Sequence, residues 1–219
     1  MGNSGKPVLI SITGQDGSPR NEVIEILKKK MQSMGLSCQE VTIWDIMYDE
    51  QTSATFKYRS PNDFDDFLAV LDNMPRSMLI FMCMYQSLMA AMKKAADVYL
   101  INGIWTKYVA SEIAFGSDKD TLLGMTGMFP EIDYTFMLNM PAEIAFDKKE
   151  NVTAYETGFS RRTKENFLGQ QEKMSKAFES LKDFVKWVDI DGTKSIEYMA
   201  DEILNSVAPK IGRLEDKAR

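Results

Sequence analysis

Gly14-Gln15-Asp16-Gly17-Ser18-Pro19-Arg20-Asn21 stands between an apolar run and an amphipathic stretch. That is where a Gly-x-x-x-x-Gly-Lys-Ser/Thr loop would cradle phosphate on its backbone N–H groups. Only Gly14 fits the pattern. Pro19 replaces the second glycine and removes an N–H, Arg20 keeps a cation in a longer, planar form, and Asn21 replaces the hydroxyl that would hold magnesium. Taken alone, the loop is a turn leading into a helix whose N-terminus starts at Pro19. The chain has no histidine, which excludes a histidine base, Ser-His-Asp and Cys-His nucleophiles and the common histidine zinc sites. Any catalysis must run on carboxylates, lysine, arginine, or bound metal and phosphate.

The elements around this loop follow from hydrophobic periodicity. Residues 8–12 are a short, partly β-branched run that predicts a strand, and 21–34 repeat apolar residues at helical spacing until Gly35. Residues 37–44 alternate and predict a second strand, completing a βαβ unit with a right-handed crossover. A helix is expected over 61–71. Pro75 then resets the chain before a long, apolar helix over 77–96. Strands follow at 98–101, 132–138 and 186–190, with helices at 106–115, 142–148, 165–182 and from Ser195 to Val207. The polar stretch 149–164 reads as a mobile lid. Five strands alternating with helices predict one three-layer α/β domain over 1–219, with a mostly parallel sheet and ligands beyond the carboxyl ends of its strands.

Composition narrows the partners. The 219 residues are 44% hydrophobic with a net charge of −6, and no basic block is longer than Lys28-Lys29-Lys30, so the electrostatic footprint of a nucleic-acid or membrane-surface protein is missing. Cys38 and Cys83 are too few for a disulfide framework or a metal cluster, which suits the cytoplasm or another reducing intracellular compartment. No segment has the length of a membrane span, and no metal site is expected. Residues 1–6 half match a myristoylation signal, with Lys6 where Ser or Thr belongs. The helix over 77–96 carries Met78, Met82, Met84, Met89 and Met92 and is apolar nearly all round, so a second copy or another protein is expected to cover one face.

The second half of the chain has a further pattern. Phe129-Pro130-Glu131-Ile132-Asp133-Tyr134-Thr135 is followed by Pro141-Ala142-Glu143-Ile144-Ala145, then Tyr155-Glu156, Phe167-Leu168 and the closing Asp189-Ile190-Asp191-Gly192-Thr193-Lys194. This resembles the thymidylate kinases, whose Phe-Pro-x-x-Asp-x-Thr strand, Pro-x-Glu-x-Ala turn, lid and adenine-side loop follow in that order. The resemblance implies a P-loop NTPase-like fold, typically dimeric. It implies nucleotide binding by Gly14, Gln15, Asp16, Gly17, Ser18, Asn21, Asp191, Gly192, Thr193 and Lys194. Arg20 would be the loop cation, with Arg161 and Arg162 the charge-stabilising lid arginines. Asp16, Tyr85, Gln86, Asn102, Lys107 and Tyr155 would border the accepting monophosphate.

The departures from that family lie in its cations. No arginine lies between Arg76 and Arg161. The family's Asp-Arg motif falls on Asn102-Gly103 or, in a second register, Thr106-Lys107, and its helix arginine on Tyr85 or Gln86; its Arg-Glu-Pro motif is replaced by Trp44-Asp45-Ile46. Phosphoryl transfer is mainly positioning and charge stabilisation. The expected function is therefore a thymidylate kinase-like protein that binds a nucleotide or nucleoside monophosphate with transfer weakened or lost. Two alternatives stand beside it: an active divergent kinase turning dTMP and ATP into dTDP and ADP with Mg2+, and a non-catalytic structural or regulatory subunit. ATP and Mg2+ are expected only in the active case.

Overall fold

A computed structural model describes residues 6–48, 52–53 and 60–218. The half match to a myristoylation signal lies, but for Lys6, outside the described residues. The elements are β1 (Val8–Gly14), α1 (Arg20–Ser33), β2 (Cys38–Val41), a 3-10 helix (Ile43–Met47), α2 (Pro61–Ala69), α3 (Asn73–Met92), β3 (Val98–Asn102), α4 (Trp105–Ala114), α5 (Lys119–Thr126), β4 (Tyr134–Asn139), α6 (Ala142–Asp147), a 3-10 turn (Tyr155–Thr157), α7 (Lys164–Leu181), β5 (Val188–Asp191) and α8 (Ile196–Ala218).

The five strands form one parallel sheet in the order β2-β3-β1-β4-β5. Every residue of the central β1 is buried, because a parallel strand with helices on both sides has no wet face. Its alternation sorts the core into two layers. Val8, Ile10 and Ile12 face α1 and α8, where Leu27 and Met31 meet Met199 and Ile203. Leu9 faces the other layer, with Phe81 and Leu88 of α3, Val109 of α4 and Phe178 of α7. The fold class is a three-layer, P-loop-like α/β fold.

Several boundaries differ from the sequence reading. The strand expected over 37–44 ends at Val41, because Thr42 and Asp45 form a capping box: the Thr42 N–H donates to Asp45 Oδ2 at 2.8 Å and starts the 3-10 helix. Pro75 sits in the first turn of α3, where no intrahelical N–H is needed, so that helix begins at Asn73 and ends at Met92. α5 was not expected; Asp118 caps it by accepting from the Thr121 N–H at 2.9 Å. α8 continues past Pro209 instead of ending at Val207. Beyond the proline, Ile211 stays fully buried on the apolar face and Lys210 pairs with Asp133, whose carboxylate also accepts the Leu9 N–H at 2.8 Å.

Candidate ligand-binding site

The loop after β1 closes on itself. Gly14 and Gly17 take φ of +156° and +82°, and a Cβ on Gly14 would stand 2.8 Å from the Leu138 carbonyl oxygen. The Asp16 N–H donates to Gln171 Oε1 at 3.1 Å, the Ser18 N–H to the Gln15 carbonyl at 3.2 Å and the Arg20 N–H to the Ser18 carbonyl at 2.8 Å. Pro19 has no N–H to offer. Arg20 turns back into the loop: its Nη1 donates to the carbonyls of Gly14 at 2.6 Å and Gln15 at 3.2 Å, and its Nε to Asn102 Oδ1 at 3.2 Å. In a phosphate nest, N–H groups converge on an anion. Here carbonyls converge on a guanidinium.

Asp16 is buried and paired with Lys107 at 2.9 Å, and it accepts from Gln171 Nε2 at 3.1 Å. Burial alone would raise its pKa, but the Lys107 ammonium, Arg20 and the Gln171 amide outweigh that and hold it below the ordinary carboxylate value. Asn21 Oδ1 accepts from Asn102 Nδ2 at 2.5 Å. With Asn21 so engaged and Asp16 bound to an ammonium, these residues do not fit a magnesium ion. Among the described residues no cluster of three His, Cys, Asp or Glu side chains is placed to hold a metal.

A cavity of about 330 Å³ opens beside this loop. It brings together six of the expected residues, Asp16, Arg20, Asn21, Asn102, Lys107 and Tyr155. Both candidate registers of the Asp-Arg motif thus reach the same space, Asn102 from the end of β3 and Lys107 from the first turn of α4. Trp44, Phe64, Leu68 and Ile80 supply an apolar wall, with the Trp44 and Phe64 rings edge to face at 5.8 Å. Glu40 and Asp65 add two carboxylates that the sequence reading missed, and Tyr108 lies beside them. Burial raises the Tyr108 and Tyr155 hydroxyls above their usual range, the Glu112 charge adding to the effect at Tyr155.

The other expected residues fall elsewhere. Tyr85 packs edge-on against Phe129 at 5.6 Å, and neither it nor Gln86 lines the cavity. Arg161 and Arg162 are exposed and also lie off the cavity; Arg162 Nη2 stands 3.9 Å from Asp66. Gly14, Gly17 and Ser18 shape the loop without lining it. Gln15, Asp191 and Thr193 line a separate groove of about 1170 Å³ between the ends of β4 and β5 and helices α6 and α7. Gly192 and Lys194 flank that groove without lining it; a Cβ on Gly192 would meet the Asn139 carbonyl oxygen at 2.7 Å. The groove carries Glu143, Glu172, Glu179, Asp189 and Asp191, and among the described residues Lys182 is its one cation. Burial pushes the Cys38 and Cys83 thiols up to about 11 and about 12, so neither is a thiolate at neutral pH.

The segment over 149–164, expected as a mobile lid, is fastened to the body. Tyr155 OH donates to Glu112 Oε1 at 3.0 Å, and the Phe159 ring stacks on Phe115 at 4.8 Å. Glu112 is fully buried and meets Arg76, whose Nε lies 3.1 Å from both carboxylate oxygens, while Ser77 Oγ donates to it at 2.8 Å. Arg76, the last arginine before the long gap, is thus part of a buried structural network.

Asp65 gives this cavity a pH signature. Its burial, with Glu156 and Asp16 nearby, raises its pKa from 3.8 to about 6, against the opposing hydrogen bond of Thr153 and charge of Lys107. The folded protein then holds a proton that unfolding releases, so this stabilisation is complete below about pH 4 and is lost as pH rises through about 6. Asp65→Asn should therefore raise the unfolding free energy by about 2–3 kcal/mol above about pH 7 and leave it unchanged near pH 4. Urea unfolding at the two pH values measures the difference; an equal effect at both would show that Asp65 does not titrate in this way.

Neither the scan against protein-family models nor the search of curated proteins returned a match. Among the described residues no helix is long and apolar enough to cross a membrane.

Proposed function

We propose that this chain is a thymidylate kinase-like protein that binds a nucleotide or nucleoside monophosphate beside the β1 loop, with phosphoryl transfer weakened or lost. The observation that carries this reading is the position of Arg20, held by the carbonyls of Gly14 and Gln15 while the loop N–H groups bond within the protein. A cation so engaged is not placed to follow charge onto a transferring phosphate. Ligand binding is supported by the cavity itself, which unites six residues chosen from sequence with an aromatic wall. The motifs from Phe129 to Thr193 lie on and around β4, α6, α7 and β5. Calorimetric titration with nucleosides, their monophosphates and Mg-ATP, with ADP release followed in parallel, tests the reading. Heat of binding without turnover is expected, and robust turnover would move the assignment to the active, divergent kinase.

A second reading concerns partners. α3 buries Ile80, Phe81, Met84 and Leu88 and leaves Met78 and Met82 57% and 48% exposed, one helical turn apart. We propose that this methionine face meets a second copy of the chain. Met78→Glu with Met82→Glu should yield a folded monomer, since both positions are exposed. Light scattering decides: a wild type already monomeric at micromolar concentration would sink the idea.

A further inference from the structure

We propose that the cavity beside the β1 loop takes an uncharged, hydroxyl-bearing ligand, a nucleoside, in preference to its phosphate ester. This deepens the nucleotide-pocket reading and rests on it. The polar wall carries three carboxylates, Asp16, Glu40 and Asp65, against two cations, Arg20 and Lys107. Neither cation is free to meet a phosphate: Lys107 is 2.9 Å from Asp16, and Arg20 is bonded to two loop carbonyls and to Asn102. Lys107 is buried at 7% exposure and Arg20 is half-buried. Drawing either one away would leave a buried carboxylate or carbonyl groups without a partner.

A phosphate monoester carries about −1.5 to −2 charge at neutral pH. Placed here, it would face the Glu40 and Asp65 carboxylates in a partly buried space, where like charges repel more strongly than in water. A sugar hydroxyl or a ring N–H brings the opposite complement. Carboxylate oxygens accept from such donors, and Glu40 and Asp65 border the cavity. Trp44, Phe64 and Leu68 give an apolar wall against which a base can lie. The volume of about 330 Å³ suits one nucleoside, at the small end of the usual ligand-pocket range of about 300–1,000 Å³.

The test is calorimetric titration of the full chain with the four common 2′-deoxynucleosides and their 5′-monophosphates near neutral pH. At least one nucleoside should bind about tenfold or more tightly than its own monophosphate. A monophosphate binding more tightly than its nucleoside would overturn this inference and leave the nucleotide-pocket reading in place. No binding of either at millimolar concentration would overturn both. Asp65→Asn, which removes one carboxylate and keeps the side-chain shape, should narrow the ratio several-fold. An unchanged ratio in that folded variant would overturn the assignment of the selectivity to these carboxylates.

Discussion

Given dTMP and Mg-ATP, the protein should release ADP at least about a thousandfold more slowly than a competent kinase of this fold. Cationic contacts to the transferring group are worth about 10³ to 10⁵ in rate, and each candidate for that role is engaged or distant. Arg20 is held by its own loop. Lys107 neutralises Asp16, and Arg161 and Arg162 are exposed and line neither the cavity nor the groove. The groove that would receive a donor nucleotide adds five carboxylates against Lys182, which itself pairs with Glu179 at 2.6 Å. A coupled assay measuring a few turnovers per second would refute this. Replacing Pro19→Gly, Arg20→Lys and Asn21→Thr together should tighten ATP binding, since it restores a loop N–H donor and removes the guanidinium that the loop carbonyls hold in the place of an anion; unchanged affinity would place the defect in the acidic groove.

Arg76→Met should cost about 3–5 kcal/mol of folding stability, because it leaves Glu112 charged and unmatched in the interior. The pair is 4% and 0% exposed at its side chains. Arg76 also lies over the Phe115 ring, 4.6 Å from its centre, and donates to Asn73 Oδ1 at 3.0 Å. Removing it strips a stacked cation as well as an ion pair. Arg76→Met with Glu112→Gln should recover much of the loss, since no buried charge remains. Denaturant midpoints of the two variants measure this; a loss below about 1 kcal/mol in the single variant would show that the pair holds little.

The sheet and most helices were legible in the sequence because each depends on periodicity over a few turns. β1, α1, α4 and α7 lie within two residues of expectation at every end. What escaped was decided by single side chains: Thr42 with Asp45 ending β2 early, Asp118 opening α5, and Ile211 carrying α8 beyond Pro209. In the cavity, the loop residues could be chosen from sequence because they follow a strand. In the sequence Asp65 is one of three acids near a helix start, with Asp63 and Asp66, and only its burial beside Thr153 and Asp16 distinguishes it. Tyr85 and Gln86 fall outside the cavity, which the sequence could not show because α3 is apolar nearly all round and its pattern does not reveal which side faces the cavity. Ile80 does, and Tyr85 lies five residues on, about 140° around the helix. Gln171 left a readable trace, a polar residue in register with Phe167, Met174 and Phe178 on the buried side of α7. Its partner Asp16 lies 155 residues away, beyond the reach of any local pattern.

The Tyr155–Glu112 bond changes what binding has to accomplish. Tyr155 borders the cavity and is fixed from behind by a carboxylate already locked to α3. A wall of this kind exists before any ligand arrives, so the conformational entropy of ordering it is lost once, during folding, and not again with each encounter. A ligand taken up here would meet a preorganised wall, so its affinity would report the complementarity of finished surfaces rather than the difficulty of assembling them.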